Sequence, residues 1–238
     1  VLGGVKFDVS VEQADAIRRG LDFLEERTQH YLTVVTTDSM FLRRTRGIAT
    51  MSKQQAEALG VIGPTARASD VPRDVRVESP YAAYTTFPVE AVLATGGDLE
   101  ARFLVRVKEL FESYRVIREI LDRMPAGDLT ARMPRRVKEG ETVSRIEAPR
   151  GELFYFIKSG GGDRPERVKA RTPSMFNFAS VLTLAVGHQL ADIPMIMAGI
   201  DPCFSCNDRL VVVNRIGHEA DVWTWEKLRQ YGIEYYKR

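Results

Sequence analysis

Residues 201–209 read D-P-C-F-S-C-N-D-R and form the most informative stretch of this 238-residue chain. Cys203 and Cys206 lie three positions apart and are the two cysteines of the sequence. Thiolates at this spacing can reach one soft metal ion, such as zinc, iron or nickel. On spacing alone, three other interpretations stay open: a redox-active pair, half of a structural zinc site, and two inert core cysteines.

The composition around this stretch is that of an ordinary globular protein. Hydrophobic residues make up 44% and charged residues 28%, and the formal net charge is +2 with both signs mixed. We therefore expect neither a nucleic-acid partner nor a polybasic membrane anchor. No apolar run approaches the roughly 18 residues of a membrane-spanning helix. The low cysteine content favours a cytoplasmic location. The chain begins V-L-G-G-V, and we expect an N-terminal portion of the protein to precede it.

Capping signals and hydrophobic periodicity predict a mostly helical first half. Ser10 begins a long helix over 11–36, and Ser52 begins a short helix that ends at Gly60. Residues 60–98 are predicted to be irregular. Asp98 caps a helix over 99–124. An apolar stripe on that helix is expected to pack in the core: Leu104, Val107, Phe111, Tyr114, Ile117 and Leu121.

Short strands are predicted after about residue 140. Residues 153–158 and 167–171 flank a glycine-rich turn and predict a β-hairpin. A helix over 174–188 and an apolar segment over 193–200 lead to the cysteine loop. Beyond the loop, strands at 211–213 and 222–225 precede a helix over 226–231. The predicted fold class is α+β, predominantly helical, with small peripheral β-hairpins.

The run at 201–209 resembles the C-terminal D-P-C-x-x-C-x-x-H/R signature of nickel–iron hydrogenase large subunits. Its ending resembles the energy-converting, membrane-associated, formate-hydrogenlyase-like group in particular. Residues 147–151, E-A-P-R-G, match a second family motif, and T-P-S at 172–174 matches a third. Three short runs between residues 67 and 81 resemble the related 49-kDa quinone-site subunit of respiratory complex I. The resemblance covers nearly the whole chain and implies a hydrogenase large-subunit-like helical core.

This resemblance implies a nickel–iron centre held by four thiolates, with two cyanides and one carbon monoxide on the iron. Cys203 would be a terminal nickel ligand and Cys206 a bridging ligand. Arg150 would lie over the open metal position, where a permanent cation stabilises hydridic or anionic character. An ordinary salt bridge is the structural alternative for Arg150. Asp201 either pairs with Arg150 and orients it or caps a turn.

Further roles carried over from the family concern the surroundings of the metal. Ser174, which follows Pro173, would hydrogen-bond a cyanide together with nearby backbone N–H groups. A helix N-cap is the alternative role for Ser174. Glu152 is a candidate proton-relay group, although a solvated strand glutamate is the favoured interpretation. The other two family thiolates belong to an N-terminal R-x-C-x-x-C element, so this chain carries half of the ligand set. We therefore expect this form to hold no complete centre.

The resemblance also implies processing and partners. Family large subunits carry a C-terminal extension that an endopeptidase removes after the histidine or arginine of the motif, which predicts cleavage between Arg209 and Leu210. Residues 1–209 would then be the C-terminal part of the catalytic domain. Residues 210–238 would be the extension, packed on the body by strand pairing in an inactive, unprocessed precursor. The implied partners are an iron–sulfur small subunit, membrane-arm subunits, maturation factors and the endopeptidase.

Two functions follow from the resemblance. The first is the catalytic large subunit of a nickel–iron hydrogenase, which interconverts H2 with protons and electrons. Such a subunit lies peripherally on the inner face of the cell membrane through its partners. The alternative is a metal-free quinone-site or coupling subunit like the complex I 49-kDa protein. Cys203 and Cys206 favour the first, because the second has no use for a thiolate pair.

Overall fold

The computed structural model describes residues 3–134, 136–207, 211–213 and 220–237. The chain divides into two units, one ending at Pro202 and the other beginning at Cys203, and each is described by itself. No helix in the described ranges is both long and apolar enough to cross a bilayer. In chain order, the first unit contains α1 (Val11–Thr37), α2 (Ser39–Thr45), α3 (Lys53–Leu59), α4 (Pro64–Arg67), α5 (Val75–Glu78), α6 (Leu99–Arg123), β1 (Gly140–Ala148), β2 (Gly151–Ser159), β3 (Pro165–Arg171), α7 (Pro173–Ala185) and α8 (Ile193–Gly199).

The helices begin where the sequence offers side-chain caps. Ser10 and Ser52 each form a reciprocal capping box, with Gln13 and Gln55 respectively. The Asp98 carboxylate accepts a hydrogen bond from the backbone N–H of Ala101 at 2.9 Å and so begins α6. Each cap satisfies backbone donors that a helix start leaves without partners. The predicted starts of α1, α3 and α6 are therefore confirmed.

The main hydrophobic core lies where α3, α4, α7 and α8 meet the start of α6. Its buried members are Ala49, Met51, Ala56, Val61, Ala66, Val71, Leu99, Val181, Leu184, Ile196 and Ile200. Complete burial of a large aliphatic side chain contributes about 1.5–3 kcal/mol. This core therefore supports the short elements that carry the functional side chains.

A three-stranded antiparallel sheet follows α6, in the order β1-β2-β3. Ala148 pairs with Gly151, so Pro149 and Arg150 form the tight turn between β1 and β2. The predicted hairpin corresponds to β2 and β3 and is confirmed. Strand β1 was not predicted, because most of its side chains are exposed and its sequence lacks a clear apolar alternation. Pairing with β2, rather than burial, makes it a strand.

The second unit contains β4 (Val211–Val213), β5 (Ala220–Val222) and α9 (Trp225–Tyr236) after a 3-10 turn at Phe204–Asn207. Strands β4 and β5 pair antiparallel with each other. The strand predicted at 222–225 is observed at Ala220–Val222, and the helix predicted at 226–231 is observed as the longer helix Trp225–Tyr236. The reason is that the Thr224 hydroxyl accepts a hydrogen bond from the Lys227 N–H at 3.2 Å and so begins α9. The assignment of 210–238 as a removable extension stays a prediction.

The predicted α+β, predominantly helical fold class is confirmed. The predicted packing of α6 is wrong in part. Tyr114 is the one member of the expected stripe that the structure buries, whereas Ile117 is 38% exposed. The buried face instead contains Leu99, Ala101, Arg102, Val105, Tyr114 and Val116. Helix α2 was also not predicted, and the segment expected to be irregular contains α4 and α5.

Candidate functional site

The β1–β2 turn that carries Arg150 packs directly against the start of α4. A Cβ atom at Gly63 would lie 2.3 Å from the Arg150 carbonyl oxygen, and one at Gly151 would lie 2.8 Å from the Gly63 nitrogen. Gly63 and Gly151 also have φ angles of 65° and 128°. Glycine at both positions permits this conformation and the close approach of the two backbones. Gly151, the last residue of E-A-P-R-G, therefore allows the β1–β2 turn to pack closely against the start of α4.

Asn177 on α7 forms hydrogen bonds both to the β1–β2 turn and to the residue before Gly63. Its Oδ1 accepts a hydrogen bond from the Ile62 N–H at 3.0 Å, and its Nδ2 donates to the carbonyl oxygens of Ile62 and Arg150, each at 3.3 Å. The Asn177 side chain is fully buried. The sequence analysis missed this residue. One feature of the sequence could have identified it: Asn177 follows Ser174 by three residues, so the two side chains lie on the same face of a helix.

Arg150 is fixed by Asp201. The Arg150 Nε donates to the Asp201 carbonyl oxygen at 2.7 Å, and its Nη2 donates to the Asp201 Oδ1 at 3.2 Å. Asp201 has a φ angle of 50°, which is uncommon for a residue other than glycine. Of the two roles considered for Asp201, the structure therefore shows the pairing with Arg150. The Arg150 side chain remains 30% exposed.

Pro173 and Ser174 form the first turn of α7. Thr172 occupies the N-cap position and Pro173 follows it inside the helix. The alternative interpretation of Ser174 as the N-cap is therefore wrong, because that position belongs to Thr172. Ser174 is fully buried. Its assignment to a cyanide ligand stays a prediction.

Glu152 lies on β2, where it faces Glu147 of β1 across the sheet. Its carboxylate lies 3.6 Å from the Arg145 guanidinium, which is an ordinary environment for a glutamate on a strand near the surface.

The second unit begins with the two cysteines in a single turn. Both are thiols of intermediate exposure. The Cys203 carbonyl oxygen accepts hydrogen bonds from the Cys206 N–H at 3.2 Å and from the Asn207 Nδ2 at 2.9 Å. The Cys203 Sγ lies 3.1 Å from the Ser205 Oγ. A backbone N–H and a side-chain amide therefore contribute hydrogen bonds that shape the turn.

The cysteines of this sequence can supply two thiolates, which is half of the ligand set of a four-thiolate centre. The sequence contains two cysteines. Within the described ranges, no group of three or more His, Cys, Asp or Glu side chains is arranged to hold a metal ion. A nickel–iron centre would require two further soft ligands from outside this sequence. The predicted processing residues, Arg209 and Leu210, lie outside the described residues.

A buried ion cluster, which the sequence analysis did not identify as such, lies next to the β1–β2 turn. It consists of Arg67, Asp74, Arg76, Glu109 and Glu147. The Arg67 side chain is 1% exposed, and it lies 2.8 Å from Glu109, 2.9 Å from Glu147 and 3.4 Å from Asp74. Arg76 pairs with Asp74 at 2.7 Å. Glu147 is the first residue of E-A-P-R-G, so the cluster joins this motif to the runs at 67–76.

The carboxylates of the buried ion cluster differ in proton affinity. Burial raises the pKa of Glu147 above its ordinary value, and the charge of Arg67 only partly offsets this effect. Burial also acts to raise the pKa of Asp74, but hydrogen bonds from Arg76 and the charge of Arg67 outweigh it and lower that pKa. Of these two carboxylates, Glu147 therefore accepts a proton more readily.

We expect E147Q to remove one pH-dependent contribution to folding stability. Because folding raises the pKa of Glu147, the folded state binds its proton more tightly than the unfolded state. This stabilising contribution is complete below the ordinary glutamate pKa of about 4.3 and declines as pH rises through the raised pKa. The difference in unfolding free energy between the two proteins should therefore shift in favour of E147Q as pH rises from about 4 to 7.

Urea unfolding at several pH values in this window measures the effect for wild type and E147Q. The matched control is E152Q, which changes the cross-strand neighbour of Glu147 in the same sheet. A difference between wild type and E147Q that does not change with pH would contradict the raised pKa.

Comparison with known proteins gives one family and relatives of two kinds. The family model described as respiratory-chain NADH dehydrogenase, 49 Kd subunit, matches residues 1–138 and 133–209. A carbon monoxide-induced hydrogenase of Rhodospirillum rubrum is 38% identical over 209 residues, covering 87% of this chain and 58% of the relative. An NADH-quinone oxidoreductase subunit of Clostridium beijerinckii is 31% identical over 210 residues, covering 87% of this chain and 57% of the relative.

A solved structure supports the same relationship. A chain in the structure of the membrane-bound sulfane sulfur reductase, an archaeal respiratory membrane complex, is 33% identical to this chain with a TM-score of 0.81. The match covers 87% of this chain and 58% of that chain. This chain therefore spans somewhat more than half the length of the relatives that it matches.

Proposed function

Because this chain belongs to the family of the respiratory-chain NADH dehydrogenase 49 Kd subunit, we propose that it forms part of the catalytic large subunit of a membrane-associated nickel–iron hydrogenase. The family relationship predicted from the motifs is confirmed, and the family is one of oxidoreductase subunits. The observation that carries the narrower proposal is the pair of thiols, Cys203 and Cys206, within one turn. The identity to a carbon monoxide-induced hydrogenase supports it.

In this proposal, Cys203 and Cys206 supply half of the thiolates that hold a Ni–Fe(CN)2(CO) centre. When bound, such a centre supplies the heterolytic cleavage of H2 and its reversal. Arg150 contributes a permanent positive charge, and its two hydrogen bonds to Asp201 fix the plane of the guanidinium. Asn177 and Gly63 hold the backbone of that turn. Ser174 and Pro173, buried at the start of α7, are assigned to a cyanide ligand.

We expect R150K to retain nickel but to lower turnover by on the order of 10²-fold, as when one electrostatic stabiliser is lost. Lysine keeps the charge but loses the planar fork that donates to both Asp201 oxygens. H2-dependent dye reduction and nickel analysis of the assembled complex measure the two effects. R145K, on the neighbouring strand β1, is the matched control. Turnover near that of the wild type would instead indicate that Arg150 has only a structural role.

A second candidate function is that of a metal-free quinone-site or coupling subunit. The description of the matched family and the NADH-quinone oxidoreductase relatives favour it. The buried ion cluster is compatible with it too, because its arginines and carboxylates pair with one another. The cysteine pair argues against it.

Metal analysis of the assembled complex separates the two functions. Stoichiometric nickel and iron, together with infrared bands of bound carbon monoxide and cyanide, would support the hydrogenase. Quinone-dependent electron transfer by a complex without nickel and without these bands would support the second function instead. Both measurements use the same preparation, so a failed assembly cannot be mistaken for either result.

The proposal includes partners and a location. A solved relative comes from a respiratory membrane complex, which supports membrane-arm subunits as partners. An iron–sulfur small subunit would carry electrons, and maturation factors would load the metal. An endopeptidase would cleave between Arg209 and Leu210, and the end of the family match at residue 209 supports this boundary. The complex would lie on the cytoplasmic face of the cell membrane.

A further inference from the structure

We propose that a cleft between α6 and the β1–β2 turn binds a carboxylate anion through Arg106. The cleft has a volume of about 440 Å³ and lies entirely within the first unit. Arg106, Val107 and Leu110 line it from α6, Pro149 lines it from the β1–β2 turn, and Asp201 lines it from the segment after α8. Binding requires no metal, so this inference does not depend on the proposed hydrogenase function.

Arg106 is a partly buried cation whose hydrogen bonds to the described residues go to neutral groups. Its Nη1 donates to the Arg102 carbonyl oxygen at 2.9 Å, and its Nη2 lies 3.5 Å from the Thr65 Oγ1. Its Nε is buried and has no hydrogen-bond partner among the described residues. Among the described residues, no carboxylate lies within salt-bridge distance of Arg106. By contrast, Arg67 and Arg76 in the same cleft are paired with carboxylates of the buried ion cluster.

Burial lowers the pKa of Arg106 to about 10, and the charges of Asp201 and Glu109 offset this only in part. Removing a cation from water without a partner is strongly unfavourable, because the interior does not replace its hydration. An anion in the cleft would relieve that cost, because it would place a negative charge beside the guanidinium and accept hydrogen bonds from its N–H groups.

Arg102, one turn earlier on α6, does not line the cleft but places a second positive charge close to Arg106. It is fully buried, and its Nη2 donates to the carbonyl oxygens of Ala49 at 2.7 Å and Gly97 at 3.0 Å. Its Nε and Nη1 have no hydrogen-bond partner in the described structure. Burial, followed by the charge of Arg106, lowers its pKa to about 10 as well. Two guanidinium groups therefore share one helix face with neutral partners.

The other residues of the cleft determine the class of anion. Glu109, Glu147 and Asp201 also line it, so each additional negative charge on a ligand would be repelled. A planar monoanion can accept two parallel hydrogen bonds from a guanidinium. Val107, Leu110 and Pro149 provide an apolar surface for a short carbon chain. The ligand is therefore a short aliphatic carboxylate, either a free acid or the side chain of a glutamate or aspartate on another polypeptide.

Titration of the full chain with sodium acetate tests the site, with sodium chloride keeping the ionic strength constant. Acetate should raise the thermal unfolding midpoint of the wild type, and the part of the rise that depends on Arg106 should be larger for acetate than for phosphate, which also stabilises folded proteins non-specifically. R106Q should lose this response, and R115Q, at an exposed arginine of the same helix, should keep it. If acetate has no effect beyond that of chloride, if phosphate binds more tightly, or if R106Q responds like the wild type, the proposal is wrong.

R106K provides a second variant if R106Q does not fold. Lysine keeps the charge but cannot donate two parallel hydrogen bonds, so acetate should bind on the order of tenfold more weakly. Unchanged affinity in a folded R106K would overturn the assignment of the guanidinium.

The assembled complex distinguishes the two sources of the carboxylate. If the ligand is a free acid, acetate should stabilise the complex as it stabilises the isolated chain. If a glutamate or aspartate of a neighbouring polypeptide fills the cleft, acetate should stabilise the isolated chain and leave the complex unchanged. Both results require the carboxylate site in the isolated chain, where it is first measured.

Discussion

Replacement of Cys203 or Cys206 by serine is expected to abolish H2 turnover and nickel retention in the assembled complex while leaving the fold intact. Thiolates are the soft ligands that nickel and iron prefer, and a serine hydroxyl does not replace them at neutral pH. The turn should survive, because the Cys203 carbonyl oxygen accepts its hydrogen bonds from a backbone N–H and from Asn207 rather than from a thiol.

Nickel content, H2-dependent dye reduction and the far-UV circular dichroism spectrum measure these effects. S205A is the matched control, because it removes the hydroxyl 3.1 Å from the Cys203 Sγ and keeps both thiols. Full activity with stoichiometric nickel in either serine variant would exclude the pair as metal ligands. Loss of the circular dichroism signal would instead indicate a structural role for the thiols.

Replacement of Arg67 by methionine should be the most destabilising single change in the buried ion cluster. It leaves Glu109, Glu147 and Asp74 near one another without the central cation that lies within 3.4 Å of each. Removal of one partner from a buried ion pair typically costs about 3–5 kcal/mol. Methionine fills much of the volume, so the loss reports on charge more than on a cavity.

The control for Arg67 is R115M on α6. Arg115 also contacts two carboxylates, Glu112 and Glu119, but its side chain is 44% exposed. Solvent screens such a pair, and its removal should cost at most about 1 kcal/mol. Urea unfolding of the three proteins at neutral pH provides the comparison. A loss in R67M no larger than that in R115M would show that the cluster contributes little net stability.

The sequence alone determined those features that depend on neighbouring residues. Ser10, Ser52 and Asp98 start their helices with a hydrogen bond to a backbone group three residues away. The cysteine turn is similarly local, since its hydrogen bonds span three or four residues. The family followed from short motifs, and the comparisons confirm it. Local spacing in a sequence is sufficient to encode such contacts.

The tertiary structure decided which residues of the site meet. Arg67 and Glu147 are 80 positions apart, Ile62 and Asn177 are 115 apart, and Arg150 and Asp201 are 51 apart. The apolar stripe of α6 predicted a buried face, yet Arg102 is fully buried and Ile117 is exposed. Periodicity identifies an apolar face of one helix but not what packs against it. The burial of a charge depends on partners from distant segments, and only the folded chain brings them together.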